Sequence, residues 1–131
     1  MEVQKALQHL QGRLPDVLAV YLFGSHASGE FQADSDLDVA VLLPGTADPL
    51  ALWRLSGELA EIVGIPVDLV DLRAASTVMQ YQVVTKGQRL WAESMTTGLF
   101  EAFVLSEKTA LDTARAGLLE DIQTEGFVHG R

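Results

Sequence analysis

Two compact apolar runs, Val17-Leu18-Ala19-Val20-Tyr21-Leu22-Phe23 and Leu37-Asp38-Val39-Ala40-Val41-Leu42-Leu43, constrain this chain more than any other feature. Each is short, rich in β-branched and aromatic residues, and ended by a backbone breaker, Gly24 in one case and Pro44-Gly45 in the other. They read as strands buried on both faces, the second except at its start, so the fold must bring helices to both sides of a sheet. The rest of the chain supplies them. Val3, Ala6, Leu7 and Leu10 recur at helical spacing and predict a first amphipathic helix over residues 2–11. Asp48 offers an N-cap with Pro49 at the first helical position, Leu52, Leu55, Leu59 and Ile62 make an apolar stripe, and Gly64 with Pro66 stops that helix.

Val67-Asp68-Leu69-Val70-Asp71-Leu72 predicts a third strand. A helix from about Thr77 to Lys86 ends at Gly87, a short strand follows near Arg89-Leu90-Trp91, and a long helix runs from about Thr97 to Thr124. Phe100, Val104, Leu111, Ala114, Leu118 and Ile122 lie along one side of that last helix. The expected architecture is therefore α/β, a small mixed β-sheet flanked by helices. One domain over residues 1–131 is expected, its core at about 1–94 and a C-terminal helix and tail over about 95–131. That helix either packs on the core or projects towards a partner.

Composition narrows the function classes. Nine basic residues stand against 18 acidic ones, a net charge of −9, which leaves no cationic footprint for gripping nucleic acid through its phosphates. No apolar run approaches the length of a membrane span, and there is no cysteine for disulfides or thiolate metal sites. The polar start, Met1-Glu2-Val3-Gln4-Lys5, lacks the apolar centre of a signal peptide, so a cytoplasmic location is the expectation.

The chemistry concentrates between the first two strands, in Gly24-Ser25-His26-Ala27-Ser28-Gly29-Glu30-Phe31-Gln32-Ala33-Asp34-Ser35-Asp36-Leu37-Asp38. A glycine ending a buried strand lets the backbone turn sharply and approach a ligand, and the adjacent serine adds a hydroxyl beside the N–H groups that open a short helix. Taken alone, that is a strand-to-helix turn. Asp36 and Asp38 change its meaning, because residues two apart on a strand share a face and put two like charges at the mouth of an apolar strand. A shared Mg²⁺ held by oxygen ligands would remove their repulsion. Asp68 lies in a similar apolar strand, and if that strand neighbours the second it reaches the same metals; Asp71 has the opposite parity. Three carboxylates on two metals would clamp the attacking and leaving oxygens of an in-line displacement at phosphorus.

Gly-Ser, ten residues, Asp-x-Asp and a later strand aspartate together resemble the DNA polymerase β-like nucleotidyltransferase superfamily, and the brevity resembles its minimal nucleotidyltransferase (MNT) branch. The stretch from Leu119-Glu120-Asp121-Ile122 to Val128-His129-Gly130-Arg131 is similar to the tails of MNT antitoxins that accompany HEPN-domain toxins. The resemblance implies that Asp36 and Asp38 bind both of two Mg²⁺ ions, that Asp68 binds the catalytic one and draws the proton from the incoming hydroxyl, and that Gly24-Ser25 hold the β- and γ-phosphates of ATP. It further implies an antitoxin that moves AMP to a hydroxyl, a tyrosine, of a partner HEPN ribonuclease. Many relatives carry arginine just after Gly-Ser; His26 and Ser28 stand here instead, which implies weaker triphosphate contact from this loop.

Other polar residues carry less. His26 is either a phosphate contact or a plain loop residue, His9 and His129 have no metal-ligand spacing, and Tyr81, Lys86 and Arg89 read as packing or solvated ends. No P-loop or dinucleotide-binding fingerprint is present. Two alternatives remain open at the level of sequence: adenylylation of a small molecule such as an antibiotic, for which the chain has no acceptor-binding domain, and an antitoxin that neutralises by binding alone.

Overall fold

The computed structural model describes residues 2–29 and 35–125; the side chains of Ser28 and of residues 121–125 lie outside that description. The order of elements is α1 (Val3–Arg13), β1 (Ala19–Phe23), α2 (Ser25–Ser28), β2 (Leu37–Leu42), α3 (Pro49–Val63), β3 (Val67–Asp71), α4 (Thr77–Lys86), β4 (Gln88–Ala92) and α5 (Ser94–Glu125). The four strands form one sheet in the order β3-β2-β1-β4. β1 pairs antiparallel with β2 and β4, while β2 and β3 run parallel, so the sheet is mixed, as the sequence predicts.

Strand parity decides what each face carries. Val20, Leu22, Leu37, Val39 and Val41 point to one side, where α1 supplies Leu7 and Leu10 and α3 supplies Leu52, Leu55, Leu59 and Val63. Ala19, Tyr21, Ala40 and Leu42 point to the other, against Leu72, Val83, Phe100 and Val104 from the segment after β3, from α4 and from α5. Two buried layers of helix thus sandwich the sheet.

The differences from the sequence expectation have local causes. α1 continues through Gly12 to Arg13, because one glycine costs only about 1 kcal/mol and the buried Leu10 holds the last turn. β3 stops at Asp71, whose carboxylate accepts from the backbone N–H of Arg73 and caps a single 3₁₀ turn over Leu72–Ala74. α5 starts at Ser94, earlier than the apolar stripe indicates, and Glu93 receives the N–H groups of Met95 and Thr96. Its Phe100 and Val104 are buried, whereas Leu111 is only half-buried and Ala114 and Leu118 are exposed. The first half of α5 therefore packs and the second half projects. Ile122, in its side chain, and Val128-His129-Gly130-Arg131 lie outside the described residues.

Candidate active site

Among the described residues, apolar side chains cover the sheet face under α4 and α5 at one end. Asp36, Asp38 and Asp68 share the parity of Ala40, Leu42 and Val70, yet lie at the N-terminal ends of β2 and β3, past the apolar cover. Asp38 and Asp68 are direct partners across the parallel β2–β3 ladder, and Asp38 is also the partner of Phe23, the last residue of β1. Asp36 stands just ahead of β2 and is exposed. β3 does neighbour β2, which sets Asp38 and Asp68 side by side, with Asp36 close enough to act on Asp38 electrostatically.

That electrostatic pressure is visible on Asp38. Its carboxyl is held above the ordinary value of 3.8, first by burial and then by the charges of Asp68 and Asp36, with His26 pulling the other way. A site that raises the cost of its own negative charge suits a cation with a preference for oxygen ligands. Among the described residues no three acidic or histidine side chains stand already gathered as a metal shell. Mg²⁺ commonly takes only one or two carboxylates and completes its octahedron with water and substrate phosphates, so the donor set fits that ion.

Gly24 is fixed by two constraints. Its backbone sits at φ 72°, ψ −152°, a region that residues other than glycine avoid. A Cβ built there would also run into the Asp38 carboxylate. The strand end and the acid are therefore packed backbone against side chain, and Ser25 opens α2 immediately beside them. His26 faces the carbonyl of Ser35 through its Nε2 at 3.4 Å, tying α2 to the segment that leads into Asp36. This gives the histidine a positioning contact that its place in the sequence did not disclose. Ser28, the other departure noted in this loop, has its side chain outside the described residues.

Asp71 is occupied elsewhere. Its carboxylate accepts from the N–H groups of Ala47, at 2.7 Å, and Arg73, at 3.2 Å, which ties the β2–α3 connection to the end of β3. Tyr81 lies under the ammonium of Lys108, 4.8 Å from the ring centre, and Arg89 bonds Glu101. The sequence reading passed over the buried Tyr21, whose hydroxyl donates to Glu101 at 2.6 Å and fastens α5 to the centre of the sheet. Only its place in an apolar strand was readable; its partner lies 80 residues away.

The family described as Polymerase beta, Nucleotidyltransferase matches residues 4–96. The chain belongs to this family. It is 39% identical over 118 residues to the protein adenylyltransferase MntA of Shewanella oneidensis, covering 90% of this chain and 85% of that one. It is 29% identical over 133 residues to the MntA of Aphanizomenon flos-aquae, covering 93% and 89%. A solved toxin–antitoxin structure with AMP-PNP superposes with a TM-score of 0.83 at 37% identity, over 94% of this chain and 99% of that chain. A second, an MNT antitoxin in complex with the tri-AMPylated HEPN toxin of Shewanella oneidensis, gives 0.75 at 37% identity, over 92% and 94%. Within the nucleotidyltransferase family the chain is of the MNT-type protein adenylyltransferase kind.

Proposed function

We propose that this nucleotidyltransferase is the antitoxin of a HEPN/MNT pair acting in the cytoplasm, and that it silences its HEPN toxin by moving AMP from ATP to a toxin tyrosine. The observation that carries the reading is the register pairing of Asp38 with Asp68 beneath Gly24, at an end of the sheet that apolar side chains among the described residues leave open. Similarity over nearly the whole chain to MntA, and to structures solved with AMP-PNP and with an AMPylated toxin, supports the same reading.

In this reading Gly24 and Ser25 hold the β- and γ-phosphates, and Asp36, Asp38 and Asp68 are the metal ligands. Two Mg²⁺ ions bound there would neutralise the triphosphate and the departing pyrophosphate. The tyrosine oxygen forms a bond to the α-phosphorus as the bond from that phosphorus to the β-phosphate bridge breaks, and the phenolic proton passes to Asp68. Asp38, in contact with the Gly24 backbone, fixes the distance between the phosphate-binding turn and the metal ligands. An adenylylated tyrosine carries a phosphodiester charge and a nucleoside, which would repel and obstruct RNA phosphates at the toxin's site.

The test mixes purified toxin with this protein, ATP and Mg²⁺ and reads the toxin by intact mass spectrometry beside an RNA-cleavage assay. Mass added in whole AMP units, in step with lost cleavage, is the expected result. Loss of cleavage without added mass would instead mark an antitoxin that acts by binding.

A further inference from the structure

The outward face of α5 is unlike that of an ordinary surface helix. With Thr97, Phe100 and Val104 turned to the core, helical geometry places Met95, Leu99 and Phe103 on the far side, and they are 74%, 69% and 57% exposed. Ala102, Ser106 and Ala110 lie beside that line, which reaches the exposed Glu107 one turn beyond Phe103, so the uncharged strip runs from Met95 to Phe103. The other charges of this stretch are engaged: Glu101 is turned inward to Tyr21 and Arg89, and Lys108 pairs with Asp112 at 2.6 Å. A solvated helix normally puts its charges outward.

A cavity of about 350 Å³ opens beside the strip, lined by Arg73, Leu99, Phe100 and Phe103. Arg73 is held in place there, its guanidinium 5.3 Å from the Phe100 ring centre and its Nε bonded to the Leu43 carbonyl. The strip is equally well supported, since Thr97 bonds the Leu18 carbonyl at 3.0 Å and Tyr21 bonds Glu101. This is an apolar face anchored to the sheet beneath it, with a recess for one large side chain, the usual form of a helix-binding hot spot.

We propose that this face of α5 is the docking surface for the HEPN toxin, which lays an apolar helix stripe with basic flanks along Met95, Leu99 and Phe103 and inserts one large side chain into the cavity by Arg73. The inference rests on the function proposed above. A second copy of this chain is disfavoured as occupant, because it would bring −9 against −9, whereas a partner with basic flanks is attracted by the same charge. The face begins at the opposite end of the sheet from Asp38, where Arg73 bonds the Leu43 carbonyl and Thr97 the Leu18 carbonyl. Docking there holds the toxin without occupying the catalytic end, so modified toxin need not leave before the next transfer.

The experiment compares wild type with Leu99→Glu and Phe103→Glu in the full chain, both exposed sites where charge is tolerated by the monomer. Isothermal titration with purified toxin is expected to show at least a tenfold weaker Kd for each variant. KM for toxin should rise in proportion with kcat retained, and AMP transfer to a short peptide carrying the acceptor tyrosine should be unchanged. Variants that bind toxin like wild type overturn the proposal, as does wild type that fails to bind toxin. It is also overturned if light scattering shows a wild-type dimer that the variants dissolve, since the face would then serve self-association. If wild type binds toxin through this face and adds no AMP to it, docking stands and the enzymatic reading alone fails.

Discussion

The two faces of the sheet are built from the same strands and end differently. Beneath α1 and α3 apolar packing runs the length of β2, from Leu37 through Val39 and Val41 to Leu43. Beneath α4 and α5 it runs through Ala40 and Leu42 and then gives way to Asp38, Asp68 and the turn at Gly24. Strand alternation makes the contrast possible, because adjacent residues of β2 serve opposite faces and can be selected independently. The closed face can be tuned for stability alone. The open one gives up apolar burial at its end and places like charges together, a cost that the proposed binding of cation and triphosphate would offset.

The largest effect is expected on the closed face. Leu55→Ala removes a side chain that is buried between α3 and the sheet, and it should cost about 2–5 kcal/mol with AMP transfer by the folded fraction unchanged. Urea unfolding beside an activity assay at low temperature measures both. A loss of activity well beyond the unfolded fraction would mean that the faces are not independent.

Gly24→Ala breaks the contrast from the other side. The alanine must either hold a left-handed φ or move, and its methyl group meets the Asp38 carboxylate, so about 1–3 kcal/mol of strain is expected. Activity should fall far more than stability does, because the turn and the acid shift against one another. Comparing the melt with kcat/KM for ATP checks this. A variant that keeps full activity would detach Gly24 from the site.

How much of this was legible follows from the range of the interactions. Gly24, Ser25, Asp36 and Asp38 lie within one short stretch, so their type and spacing alone led to the same turn and strand mouth that the fold displays. The choice of Asp68 over Asp71 followed from parity, and the structure gives Asp71 a separate task in holding Ala47 and Arg73. Contacts between distant segments were out of reach. Nothing near Tyr21 points to Glu101, and nothing in the periodicity of α5 tells where the sheet beneath it ends, so Ala114 and Leu118 continue the apolar side into solvent. The outward strip of α5 is likewise not legible in the sequence, because the exposure of Met95, Leu99 and Phe103 depends on what packs around the helix.

Tyr21→Phe sharpens the comparison between the packed and projecting halves of α5. It removes one hydroxyl from a buried pair and leaves Glu101 with Arg89, whose Nη1 lies 3.3 Å from each carboxylate oxygen, so a loss of about 1 kcal/mol is expected. Burial first, then Glu101, holds the phenol of Tyr21 far above its ordinary titration range, so it stays neutral and the loss should not vary between about pH 6 and pH 9. Hydrogen exchange should rise along the first half of α5 and stay as it was along the second. Faster exchange confined to the distal half would show that this bond does not anchor the helix.

The smallest effect on stability, and the one with a distinctive sign, belongs to Asp38→Asn. A carboxyl whose folded value lies above its ordinary 3.8 binds its proton more tightly in the native state. The stability linked to that proton is fully present below the ordinary value and is lost as pH rises through the folded one. Asparagine keeps the shape and carries no charge to lose. Without divalent cation, the variant should melt with wild type at about pH 3 and slightly above it at pH 7, the difference opening between those limits. Mg²⁺ with ATP should reverse the order at pH 7, because ligand linkage then favours the intact carboxylate set. AMP transfer should be lost at every pH. A variant that melts below wild type at pH 7 in the absence of cation would mean that the Asp38 charge holds the fold together, and the open end of the sheet would then be structural.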